Sequence, residues 1–172
     1  MSQALFTYPQ VDHQSYISAF PFPHAVIHGG WDEDKLCLCK EELAGFDDWD
    51  GQKDFYGAQL KQYCSNMEKL PESVKCIIYE ASSPRFLRWL EELTGEVGLI
   101  PDPYLEGGGV HRIKPGGFLK VHADFNWNGR LKLYRRLNVL IYINPGWKEE
   151  WGGCSDCGVR ICSQNASLCC HH

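Results

Sequence analysis

His122-Ala123-Asp124 is the triplet in this chain best suited to metal chemistry. Residues two apart on an extended strand project from the same face, which sets an imidazole and a carboxylate about 6–7 Å apart at the backbone, close enough for one ion to take both. A second imidazole from elsewhere would complete a two-nitrogen, one-carboxylate set that suits Fe(II) and leaves adjacent positions open for small ligands. Alone the triplet has little weight. With 7 His and 10 Asp in the chain, chance supplies a His-x-Asp roughly 0.4 times, and a surface histidine beside an aspartate is the bland alternative. A second group of donors, Cys154-x-x-Cys157 with Cys162, Cys169, Cys170, His171 and His172, crowds the last 19 residues and has enough soft ligands for tetrahedral zinc. Its spacing beyond the one Cys-x-x-Cys pair fits no zinc module.

The elements that must position these residues are legible in outline. Glycines at 107–109 and 116–117 alternate with runs rich in β-branched and aromatic residues, the pattern of strands and turns. Phe118 to Phe125 is expected as the strand carrying the triplet. Leu137 to Asn144 is expected as a second strand, apolar on both faces and therefore central, ended by Pro145-Gly146. Ser83-Pro84 opens a helix whose Phe86, Leu87, Leu90 and Leu93 recur every three or four residues until Gly95. The prolines of Phe20-Pro21-Phe22-Pro23 lead into a short strand around Ala25 to Ile27, closed by Gly29-Gly30, and residues 31–76 read as acidic and mostly helical.

Composition bounds the functional classes. Seventeen basic against 22 acidic residues give a net charge of −5 and a pI near 5.8, which argues against a nucleic-acid binder. At 172 residues, 44% of them hydrophobic, the chain can bury one substantial core. The N-terminus has no basic and apolar leader, and the strongly apolar run Val139 to Ile143 is too short to span a bilayer. These features predict a soluble protein of the cytoplasm or nucleus with no membrane contact, whose scattered cysteines are thiols rather than disulfides.

Context lifts the triplet above chance. The stretch from Gly107 through Lys114-Pro-Gly-Gly-Phe-Leu-Lys-Val-His122-Ala-Asp124-Phe-Asn resembles the entry to the metal site of 2-oxoglutarate- and Fe(II)-dependent dioxygenases of the prolyl 4-hydroxylase type. Arg135-Arg136-Leu-Asn-Val-Leu-Ile-Tyr142-Ile-Asn-Pro-Gly-Trp147 is similar to a segment of the hypoxia-inducible-factor prolyl hydroxylases, and Gly152-Gly153 to the pair before their next strand. Ser83 to Gly95 and Leu99-Ile-Pro-Asp-Pro103 also fit this family, so the resemblance spans about residues 20–153. It implies an α+β, mainly β fold: a double-stranded β-helix, or jelly roll, with supporting N-terminal helices and incomplete C-terminal strands. It implies His122 and Asp124 as iron ligands, Tyr142 on the far carboxylate of 2-oxoglutarate, and Arg136 near the substrate mouth. For Tyr142 a core tyrosine is the alternative, and for Arg136 a solvated basic edge with Arg130, Lys132 and Arg135. Fe(II), 2-oxoglutarate, O₂ and ascorbate as reductant would be the cofactors and cosubstrates, with a prolyl or similar side chain of a peptide or protein as substrate.

After Gly153 the family pattern of a further strand, a distal histidine and a basic residue gives way to the Cys-rich stretch. The sequence therefore divides into an N-terminal extension (1–19), a dioxygenase domain (20–153) and a divergent tail (154–172) in which the domain reads as truncated or frameshifted, with impaired activity. The competing expectation is a non-catalytic β-barrel interaction protein whose tail binds zinc.

Overall fold

The structure is a computed structural model that describes residues 4–120, 122 and 124–144, together with the backbone of 155–156, 160–161 and 167–171. Four helices, α1 (His13–Ser18), α2 (Glu33–Ala44), α3 (Glu72–Ala81) and α4 (Pro84–Thr94), accompany the strands β1 (His24–His28), β2 (Gly51–Phe55), β3 (Ala58–Cys64), β4 (Val110–Leu119), β5 (Trp127–Asn128), β6 (Leu133–Tyr134), β7 (Asn138–Ile141), β8 (Ser155–Asp156), β9 (Arg160–Ile161) and β10 (Ser167–His171). They form small antiparallel sheets, β1-β10-β7, β2-β3-β4, β5-β6 and β8-β9, an α+β architecture. No described helix is long and apolar enough to cross a membrane.

Helix α4 forms where its sequence pattern predicts. The Ser83 hydroxyl accepts from the Phe86 amide at 3.2 Å, Pro84 occupies the first turn, and Gly95 closes the helix in the left-handed region at φ 76°. Its buried face, Phe86, Trp89, Leu90 and Leu93, meets Phe6 and Trp31 from the N-terminal segment. The Phe6 ring lies 4.9–5.3 Å from those of Trp31, Phe86 and Trp89, within the range in which tilted aromatic pairs attract. Phe6 and Tyr16, in the stretch expected as an extension, are thus part of the same core.

Three local expectations are corrected. Residues 51–64 are a hairpin rather than helix, with Tyr56-Gly57 joining paired Phe55 and Ala58. Gln52, Lys53 and Asp54 are all exposed, so this strand lacks the alternation that would have announced it. Gly116-Gly117 do not end a strand. They belong to a bulge inside β4, because Gln59 pairs with Phe118 and Lys61 with Ile113, leaving residues 114–117 opposite Leu60. A Cβ on Gly117 would stand 2.6 Å from the Gln59 carbonyl, which explains the glycine. Finally, β7 is at the edge of its described sheet rather than central, with β10 between it and β1, and one of its faces, Val139 and Ile141, packs on the helical core.

Candidate metal centre

Strand β4 stops at Leu119, so His122 and Asp124 lie just beyond it rather than on the strand expected at 118–125. They nevertheless converge. The His122 Nδ1 lies 2.8 Å from the Lys120 carbonyl, and since a carbonyl only accepts, Nδ1 carries a proton, so that in the neutral ring the lone pair is on Nε2. Nε2 faces Asp124 Oδ1 at 3.6 Å, with both side chains nearly half exposed. Two acceptor atoms opposed in this way repel unless a cation or proton lies between them. Transition-metal nitrogen and oxygen ligands stand about 2.0–2.2 Å from the ion, so one ion can touch both donors.

The other carboxylate oxygen is held from behind. Asn138, the first residue of β7, donates Nδ2 to Asp124 Oδ2 at 2.9 Å, and Arg135 Nη1 lies 3.6 Å from the same oxygen. Arg135 is oriented by Nη2 donating to Asn138 Oδ1 at 2.9 Å and by stacking 4.8 Å over the Phe125 ring. Its buried Nη1 has no hydrogen-bond partner among the described residues and faces the Asp124 carboxylate. Oδ2 is thereby committed to the protein and Oδ1 left for a ligand, the division of labour of a metal-binding carboxylate and its supporting shell. The loop bearing Arg135 is anchored in turn by buried Asn128, which donates to Asp102 at 3.1 Å and accepts from the amides of Arg130 and Leu131. Phe125 packs on Gly107, where φ is 70° and an added Cβ would stand 2.5 Å from that ring, so the position favours glycine.

Tyr142 follows β7 and is half-buried. Leu137, Val139, Ile141 and Ile143 pack on the helical core, so alternation turns Asn138, Leu140 and Tyr142 to the opposite side. Tyr142 therefore shares a strand face with the residue that holds Asp124, about 13 Å along the chain. Arg136 points elsewhere, into a two-pronged pair with Glu96 just beyond α4, at 2.8 and 3.0 Å. Among the described residues no third His, Cys, Asp or Glu joins His122 and Asp124. Cys154, Cys157, Cys162 and His172 of the expected zinc set lie outside the described residues, and of Cys169, Cys170 and His171 only the strand backbone is described.

The sheet β2-β3-β4 turns one face to the core and the other to this pair. Cys64 and Val110 face inward with Arg112, which reaches Gln62 at 2.8 Å and covers Trp49. On the opposite face the register sets Lys53, Lys61 and Ile113 side by side, with Tyr63 beside His111. Burial, then the neighbouring Lys53, pushes the Lys61 ammonium below its ordinary pKa, and the Asp124 charge partly offsets them. Solvent still reaches the edge of His111, yet the crowding protein and then Lys61 disfavour its protonated form.

Asn138 and Arg135 are the functional candidates that pattern reading missed. An Arg-x-x-Asn step into an apolar strand was the available signal, because the arginine precedes and the asparagine begins the strand running beside the metal pair.

Residues 108–170, somewhat more than a third of the chain, match the family model of the 2OG-Fe(II) oxygenase superfamily. The matched range contains His122, Asp124, Arg135, Arg136, Asn138 and Tyr142 and runs past Gly153 through most of β10. It supports membership of that superfamily and an oxidoreductase chemistry dependent on iron and 2-oxoglutarate. No curated protein and no solved structure matches the sequence.

Proposed function

We propose that this chain is a 2-oxoglutarate- and Fe(II)-dependent dioxygenase hydroxylating a prolyl or similar side chain of a peptide or protein. The observation that carries the reading is the approach of His122 Nε2 to Asp124 Oδ1 at 3.6 Å, with the second carboxylate oxygen already engaged by Asn138 and Arg135. Iron would be held there by these two donors. When bound, Fe(II) with 2-oxoglutarate and O₂ supplies the oxidation of an unactivated C–H bond, coupled to conversion of 2-oxoglutarate to succinate and CO₂.

The remaining roles fall to the chain's own groups. Lys120, through its carbonyl, keeps His122 in the tautomer that can ligate. Asn138 and Arg135 fix the Asp124 carboxyl plane, so that no reorganisation is needed when the ion enters. Tyr142, which shares a strand face with Asn138, would donate its phenol proton to the far carboxylate of 2-oxoglutarate. Arg136 would act at the substrate mouth by releasing Glu96. The domain at 20–153 is read as part of a jelly roll, ascorbate as the reductant that keeps the iron ferrous, and the two-ligand set as a cause of weak iron affinity and slow turnover. The test is 2-oxoglutarate-dependent succinate formation by the 172-residue protein with Fe(II) and ascorbate. Slow turnover abolished by His122→Ala supports the proposal, and succinate formation indifferent to that substitution refutes it.

A further inference from the structure

Between Asp124 and the Arg135 that supports it, the chain runs out along β5 and back along β6. Each strand has two residues, too few for the hairpin to hold itself, and it is fastened at its base instead. Buried Asn128 ties it to Asp102 and to the amides of Arg130 and Leu131, and the Arg135 amide donates to the Asn126 carbonyl at 2.9 Å. Because Asn128 points inward, alternation turns Trp127 outward, together with Tyr134, its partner across the hairpin. Their rings meet edge to face at 5.0 Å, yet Trp127 is 46% exposed and Tyr134 68%. Phe125 and Leu133 are exposed as well. Apolar side chains set out on a fastened arm, rather than folded into the core, mark a surface for a partner.

The charge around them says of what kind. Residues 125–144 carry four basic and no acidic side chains, against 13 basic and 22 acidic ones in the rest of the chain. Arg135 turns to Asp124 and Arg136 to Glu96, which leaves Arg130 and Lys132 at the exposed end of the hairpin. The Arg130 guanidinium lies 3.2 Å over the half-exposed Tyr104 ring, a contact that holds it at the surface. The carboxylate beneath the hairpin, Asp102, is engaged by the amides of Tyr104 and Glu106 and by Asn128. Tryptophan, tyrosine and arginine are the side chains that carry most binding energy at protein interfaces. Two cations beside an aromatic pair suit a short acidic peptide, whereas a nucleic acid needs a row of phosphate contacts.

We propose that the β5-β6 hairpin is a docking arm for an acidic segment of a peptide or protein substrate. Trp127 and Tyr134 receive an apolar side chain of that segment, and Arg130 and Lys132 its carboxylates. Trp127 follows Asp124 by three residues, a reach of about 10 Å at most, so a segment held here brings its neighbouring residues to the metal pair. The proposal deepens the oxygenase reading and rests on it for what happens to the bound peptide, whereas docking itself needs no metal.

The test measures fluorescence anisotropy of a short labelled peptide in which Glu and Phe flank one proline, titrated with the 172-residue protein, beside versions with Gln or Lys in place of Glu. The Glu peptide should bind, the Gln version several-fold more weakly, and the Lys version not at all. Trp127→Ala should weaken binding by about tenfold or more while Trp127→Phe largely retains it. Arg130→Glu with Lys132→Glu should lose the Glu peptide and gain the Lys version. Thermal melts show that the variants are folded. His122→Ala should lose Fe(II) and keep the peptide, so failure of the metal reading and failure of this one are separate results. Equal affinity of wild type and a folded Trp127→Ala variant, or no binding of the Glu peptide to wild type, overturns the proposal. So does binding of a uridine oligonucleotide or of phosphatidylserine vesicles in place of the peptide.

Discussion

Replacing Asn138 by alanine should loosen the metal site without loosening the fold. Asn138 donates to Asp124 Oδ2 at 2.9 Å and at the same time accepts from Arg135 Nη2 at 2.9 Å, so its amide joins the carboxylate to the Arg135 guanidinium. A hydrogen bond to a charged group contributes about 1.5–3 kcal/mol when well shielded. The Asp124 side chain is 45% exposed, which places the expected effect at the lower end, about 1–1.5 kcal/mol after screening. That corresponds to roughly tenfold weaker metal affinity, the lower bound for removing a group that orients a ligand. The side chain is not part of the core, which β7 meets through Val139 and Ile141, so the melting temperature should change little. Anaerobic Fe(II) titration followed by calorimetry, beside a thermal melt, measures both quantities. Unchanged iron affinity in a folded Asn138→Ala protein would refute the assignment of Oδ2 to the protein and Oδ1 to the ion.

Further outcomes follow from individual contacts. Asp50 accepts from the amides of Ser65 and Asn66 and pairs with Lys69 at 3.1 Å, which lowers its pKa to about 2. Its folded value lies below the unfolded one, so the stabilisation is complete above about pH 4 and is lost as pH falls through about 2. Urea midpoints between pH 5 and pH 2 should fall for wild type by about 1–2 kcal/mol more than for Asp50→Asn. Phe86 is fully buried within the aromatic cluster, and Phe86→Ala should cost about 3–5 kcal/mol in a denaturant titration; less than about 1 kcal/mol would contradict the core described. Gly107→Ala meets both a φ of 70° and the Phe125 ring at 2.5 Å, so it should lower the melting temperature and weaken Fe(II) binding together. For Arg136→Gln, loss of the half-exposed pair with Glu96 should change the melting temperature little, and a clear effect on substrate KM is the result expected of a residue at the substrate mouth.

What the sequence discloses about this fold depends on whether local chemistry decides the element. Helix α4 has a cap, a proline, an apolar stripe and a terminating glycine that agree with one another, and each appears in its expected place. The β2-β3 hairpin has no such agreement: its outer strand is exposed from Gln52 to Phe55 without alternation, and it forms because β3 is paired on both sides, a non-local cause. The bulge at residues 114–117 reads as a turn for the same reason, since a glycine pair serves either purpose until the partner strand is known. At the site, the His-x-Asp motif announces its two donors, but Asn138 and Arg135 act through a carboxylate fourteen or eleven residues earlier in the chain. Lys61 comes from β3, the strand beside β4. Its relation to His111 exists only in the register of β3 with β4, which no spacing in the sequence encodes.

The account stands on His122 and Asp124 as a metal pair, and the most direct measurement is the stoichiometry of Fe(II) retained after anaerobic equilibrium dialysis. Wild type should bind one equivalent, His122→Ala and Asp124→Ala should each lose it, and all three should melt at similar temperatures because both side chains are nearly half exposed. Full iron retention by either folded variant, or retention abolished instead by Cys154→Ala with Cys157→Ala, would contradict it.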